Sequence, residues 1–144
     1  MEWDEFVAAA KAISWIAYLG TADHEGHPHV SVVAPGFSPG TIWFATRPAS
    51  KKFRNLRVNP TVGLHWPVGS EGPGELAAWG VATPLETADA KDSIWDGGYL
   101  SYDLSSFFGP RETADVVFAE IAVSRARLLG PDFGSKVWVP EDHR

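Results

Sequence analysis

Apolar residues at Trp3, Phe6, Val7, Ala10 and Ile13 recur at the spacing of one helix face, so the chain is predicted to open with an amphipathic helix. The period then shortens towards two. "SWIAYLGTA", "HPHVSVVAPG" and "TIWFAT" read as three strands, joined by the turn sequences "DHEG" and "FSPG". Pro28 falls near the start of the second strand, where a missing N–H is tolerated. A short helix is predicted from Ser50 to about Val58, with Phe53 and Leu56 one turn apart and Asn59-Pro60 ending it. "TVGLHWPV" and "ELAAWGVATPLE" give a fourth and a fifth strand around the glycine-rich loop "GSEGPG". "TADAKDSIWDGGYL" predicts a helix ending at Gly97-Gly98, and "SYDLSSFFGPRET" a loop. "ADVVFAEIAVSRARLLG" is a long sixth strand in which Val117, Ala119, Ile121 and Val123 alternate.

Six strands with few helices and short turns predict a mainly β fold with flanking short helices, an antiparallel barrel or sandwich. A parallel doubly wound sheet needs a helix after nearly every strand, and the early strands have none between them. No repeat, low-complexity tract or long linker divides the chain, so residues 1–144 read as one domain, long enough to bury one core. The absence of cysteine excludes disulfides, thiolate metal sites and cysteine nucleophiles. No apolar run approaches the roughly 20 residues of a bilayer span, so no membrane partner is expected. The start "MEWDEFVAAAKAI" is acidic and amphipathic, unlike a secretory or transit peptide, and a cytoplasmic location is the expectation. A formal net charge of -6 argues against a nucleic-acid partner, whose phosphates demand cations.

Against that acidity, "FATRPASKKFRNLRVNP" places five of the twelve basic residues between Arg47 and Arg57. Ser50 reads as a helix N-cap, and Lys51 and Lys52 follow it at the positive end of the macrodipole, where cations are mildly disfavoured. Free N–H groups at a helix start, a hydroxyl and two ammonium groups make an anion site, over which Arg47 can close. Spacing alone leaves this open beside a second reading, solvated lysines on an exposed turn at a cost of roughly 0.3 kcal/mol.

The strand followed by "ATRPASKKFRNLRVNPTVGLHW" resembles the pyridoxamine 5'-phosphate oxidase-like flavin-binding split barrels, in which a Ser-Arg/Lys-Lys run opens a short helix ending in Asn-Pro. The upstream "IAYLGTADHEGHPHVSVVAPGFSPGTIWFAT" is similar to the two-strand lead-in of that superfamily, so the likeness covers most of residues 13 to 67. "SIWDGGYL" and "KVWVP" resemble its general stress protein 26 branch. The resemblance implies a six-stranded antiparallel split β-barrel that binds FMN. Position by position, it implies that Ser50, Lys51 and Lys52 hold the flavin phosphate, that Thr46 sits near the phosphate or ribityl chain, and that His29, Val30, Ser31 and Val32 line the flavin. Ser31 stands where the true oxidases carry an arginine, a gap that Arg47 is placed to fill. The arginine and histidine pattern that recognises pyridoxine phosphate is not evident in "RARLLGPDFGSKVWVPEDHR", which argues against that particular substrate.

Other constellations carry less. His24, His27 and His29 lie within six residues, but no carboxylate or second histidine cluster completes a metal site, and none is expected. Of seven tryptophans, Trp15, Trp43 and Trp79 are expected in the core, whereas Trp138 is a candidate either for the core or for covering the edge of the flavin ring. No nucleophile elbow, dinucleotide fingerprint or P-loop is present, and Glu71 and Glu75 form no acid/base pair, so no catalytic side chain is assigned. If a flavin supplies the chemistry, none is needed. The expected function is an FMN-dependent oxidoreductase acting on a small molecule. The alternatives are a deazaflavin coenzyme on the same fold and a non-catalytic flavin- or haem-binding stress protein. The resemblance also implies a homodimer, with the partner closing the cofactor site through the loop around Glu71 to Glu75 or through Trp138.

Overall fold

The computed structural model describes residues 1–67, 74–132 and 134–144. Helix α1 (Trp3–Ile13) leads into β1 (Ala17–Ala22), β2 (Pro28–Val33), β3 (Gly36–Ser38) and β4 (Thr41–Thr46). Helix α2 (Lys51–Val58), β5 (Thr61–Trp66) and β6 (Glu75–Leu85) follow, then α3 (Ala88–Asp96) and α4 (Leu104–Phe108). The long β7 (Val117–Leu129), β8 (Ser135–Trp138) and a 3₁₀ turn at Glu141–His143 complete the chain.

The strands form one antiparallel sheet in the order β2-β1-β5-β6-β7-β4-β3, with β8 added to β7. The curled sheet brings β2 close to β4, although the two are not hydrogen-bonded neighbours, and α2 packs on β1, β2 and β6 at that split. The fold is therefore the mainly-β antiparallel split barrel expected, with eight strands rather than six. The two additional strands are short. "GFS" was read with its turn, but Gly36, Phe37 and Ser38 pair with Trp43, Ile42 and Thr41, and only Pro39-Gly40 turns. The four residues of β8 have no alternating pattern of their own and are held by pairing with the far end of β7.

The turn between β1 and β2 is fixed by Asp23, whose Oδ1 accepts from the N–H groups of Glu25 and His27, each at 2.9 Å. Those backbone bonds hold its carboxyl down at about 2. Gly26 supplies the left-handed residue there, at φ 86°.

Phe6, Leu19, Ile42, Phe44, Phe53, Leu56, Trp66 and Ile121 are fully buried in the main core. Phe53 and Leu56 are the two apolar residues that the sequence pattern placed on one face of α2, and they seat that helix on the barrel. A buried hydrogen bond from Asn55 Nδ2 to Thr21 Oγ1, at 3.0 Å, fixes its rotation. A second cluster, built on Ile94, Leu104, Val116 and Phe118, docks α3 and α4 on the other side of β7. The segment read as a loop thus contains α4. Asp103 caps it by accepting from Ser105 N–H at 3.0 Å, and Gly109 at φ 81° ends it.

Candidate cofactor groove

β4 ends at the buried Thr46, and the chain turns through Arg47, whose carbonyl accepts from Ser50 N–H at 3.0 Å. Ser50 caps α2 as predicted: its Oγ accepts from Phe53 N–H at 3.3 Å and from the Thr46 hydroxyl at 3.0 Å. At the first turn of an α-helix the N–H groups of Lys51 and Lys52 have no intrahelical acceptor. The Lys52 ammonium donates to the carbonyl of Val32 at 3.1 Å, its single recorded hydrogen bond among the described residues. An ammonium has three donors, so two stay free for a ligand. Burial lowers the pKa of Lys52 below the ordinary lysine value, the electrostatic cost expected of a cation that lacks an anionic neighbour.

These groups border an open groove of about 510 Å³ whose walls include Ala45, Thr46, Arg47, Ser50, Lys52 and Phe108. The Arg47 guanidinium lies over the Phe108 ring, 5.6 Å from its centroid. An apolar stretch of about 200 Å³ adjoins it, walled by Trp15, Val32, Val33, Ala45, Tyr102, Phe107 and Phe108. Ala45 and Phe108 belong to both, so the two stretches are neighbours, one cationic and the other aromatic. Among the described residues, no carboxylate lines either stretch. Burial pushes the Tyr102 phenol up to about 12, so at neutral pH it keeps its proton.

Of the residues expected at a site, Thr46, Arg47, Ser50, Lys52 and Val32 come together. Lys51 does not: one position further round the helix, it is exposed and outside the groove wall. Strand alternation puts Val30 on the same face of β2 as Val32, and His29 and Ser31 on the other. Val30 is on the outer face, 68% exposed, whereas Ser31 faces inward with a buried Oγ that lacks a partner. His29 is half-buried and lines neither stretch. Trp138 lies elsewhere, 6% exposed in the main core, its ring 4.7 Å from that of Trp3 and near Gly40 at the opposite end of β4. Of its two readings, core packing is the one observed. Trp15, expected in the core, is instead 60% exposed because β1 begins only at Ala17, and it walls the aromatic end. Glu71 lies outside the described residues, and Glu75 is paired with Arg127 at 2.6 Å.

Sequence reasoning missed Tyr102, Phe107 and Phe108. The signal was present in "DLSSFFG", an N-cap aspartate and a terminal glycine around a short apolar run. The histidine group is also resolved: His27 pairs with Asp23 at 3.0 Å, and His24 lies 3.5 Å from Glu25. Among the described residues, no three metal-ligating side chains converge.

The fold is an antiparallel split barrel that carries a cationic and an aromatic stretch side by side. The pyridoxamine 5'-phosphate oxidase profile matches residues 3–130, and the chain belongs to that family. Comparison with curated proteins returns no match. Among solved structures, the chain is similar to a Clostridium acetobutylicum protein related to general stress protein 26, at TM-score 0.74 and 14% identity over 100% of both chains. A heme binding protein from Mycobacterium smegmatis gives TM-score 0.70 at 18% identity over 94% of this chain and 57% of that one. A pyridoxamine 5'-phosphate oxidase-related, FMN binding protein from Nostoc punctiforme gives 0.65 at 12% identity, over 96% and 94%. At these identities the likeness is one of fold.

Proposed function

We propose that this protein is an FMN-binding oxidoreductase that exchanges hydride or electrons with a small organic molecule. The observation that carries this reading is a groove whose cationic and aromatic stretches lie side by side and share Ala45 and Phe108. A ligand long enough to fill it needs an anion at one end and a planar apolar ring at the other, and FMN has both. Lys52, Arg47 and the start of α2 meet the phosphate, the Thr46 and Ser50 hydroxyls border the ribityl chain, and Trp15, Val32, Tyr102 and Phe107 receive the ring. Bound there, a flavin supplies the redox chemistry, and the protein orients it, excludes water from one ring face and offers the Tyr102 O–H as a donor. A deazaflavin coenzyme satisfies the same groove. Haem fits it less well: its iron takes a His, Cys, Met or Tyr ligand, and of these the groove's described lining has only Tyr102, held protonated. The visible spectrum of the purified protein tests the assignment. Two flavin bands are expected, a single band identifies a deazaflavin, and a Soret peak overturns the flavin reading.

The same reading includes a cytoplasmic homodimer with the groove at its interface. Tyr18 and Val32 are direct cross-strand partners, and with Val30 they leave an apolar face exposed beside the aromatic end. A second copy covering that face would roof both grooves of a twofold pair. Sedimentation equilibrium should give twice the chain mass at micromolar concentration. Tyr18→Glu/Val30→Glu, at two exposed positions outside the groove wall, should give monomers and weaken FMN binding with it. A wild-type monomer holding one flavin per chain removes the shared site and leaves the phosphate end intact.

A further inference from the structure

Trp15 has a second face. Besides walling the groove, it lines a separate cavity of about 340 Å³ between the end of α1, the β2–β3 corner and the segment after α3. That volume lies at the lower end of the roughly 300–1,000 Å³ of small-molecule sites. Trp15, Phe37 and Tyr99 line it, and Gly36 and Gly98 contribute bare backbone. The roof is built to stay in place. Tyr99 stacks on Trp43 at 4.5 Å and 20°, and the Tyr99 carbonyl rests so closely on Gly36 that any Cβ there would come within 1.8 Å of it. The cavity has one charged residue in its lining, Lys11, which is exposed and makes no recorded hydrogen bond or ion pair among the described residues.

We infer that this cavity is a binding site for a small planar aromatic carboxylate, its ring held among Trp15, Phe37 and Tyr99 and its charge met by Lys11. Flat hydrophobic walls select a ring over an aliphatic chain of equal area. A lone cation with no carboxylate in the lining selects an anion. The site is distinct from the phosphate end of the groove and touches the groove only through Trp15, so it does not depend on which cofactor the groove holds.

Calorimetric titration of the purified protein with 2-naphthoate tests this. Naphthoate should bind about fivefold more tightly than the neutral 2-naphthylmethanol, the scale of one exposed ion pair. Lys11→Gln should abolish that difference. Ser101→Tyr adds a ring to the cavity lining, and should cut naphthoate affinity at least tenfold while leaving FMN affinity unchanged. Trp15→Leu should weaken both aromatic probes about tenfold, and the exposure of Trp15 keeps that variant folded. Equal binding of the two probes to the wild type would overturn the anion preference. Naphthoate affinity unmoved by Ser101→Tyr, or no binding at millimolar probe, would overturn the site.

Discussion

Replacing Lys52 by methionine should weaken FMN binding by about ten- to a hundredfold, because a hydrogen bond to a charged partner contributes roughly 1.5–3 kcal/mol. Methionine preserves the apolar stem that packs beside β2 and removes the ammonium. Lys51→Met should change affinity far less, since Lys51 does not reach the groove wall. That contrast separates a local contact from a general loss of positive charge. Flavin fluorescence quenching reads both affinities, and the wild-type difference should shrink as salt rises. Wild-type affinity in Lys52→Met would remove the phosphate assignment. Thermal melting distinguishes binding from folding. The folded-state pKa of Lys52 is lowered, so its charged form opposes folding at neutral pH, and this opposition fades as pH rises through the lysine range. Without ligand, the variant should therefore melt within a few degrees of wild type.

Gly80→Val should destabilise the whole barrel by about 3 kcal/mol or more, the upper range for forcing atoms into a packed site. Gly80 sits where the β6–β7 register shifts, between Trp79 and itself. A Cβ there would meet the Ala122 carbonyl oxygen at 2.3 Å and Ile121 Cγ2 at 2.9 Å, and backbone cannot step aside as a flexible side chain can. The melting temperature should fall by about 10 °C, on the scaling for a domain of this size. Gly98→Ala is the control: its φ is +69°, with nothing within 4 Å of an added Cβ. It should cost about 1 kcal/mol, the left-handed backbone penalty alone. If the two variants melt together, close contact between β6 and β7 is not what fixes Gly80.

Most of the barrel was legible because β1, β4, β5 and the first half of β7 are short, largely apolar runs bounded by turn or polar residues. The same logic found α2, where a cap, two apolar residues one turn apart and Asn59-Pro60 agree. It stopped where pairing rather than pattern decides structure: β3 and β8 are held by their neighbours. At the site, the basic run marked the cationic end because charge is visible residue by residue. Which lysine turns inward was not visible, since helix rotation is set by Phe53, Leu56 and the buried Asn55–Thr21 bond. The aromatic end depends on α3 and α4 folding back across β7, a long-range event that no local spacing announces.

The sheet order sets a schedule for biosynthesis. β2, β1, β5 and β6 are contiguous and can pair as they emerge, but β4 and β3 join them only through β7, whose last residue is Leu129. Until then the β3–β4 hairpin is an isolated two-stranded ribbon, which is marginal in water. Thr46 and Arg47, at its end, are then tied to β1 and β2 mainly through α2. A nascent chain stalled after Leu85 would carry every basic residue of the groove but lack Tyr102, Phe107 and Phe108, so the aromatic stretch can be walled only after α4 has left the ribosome.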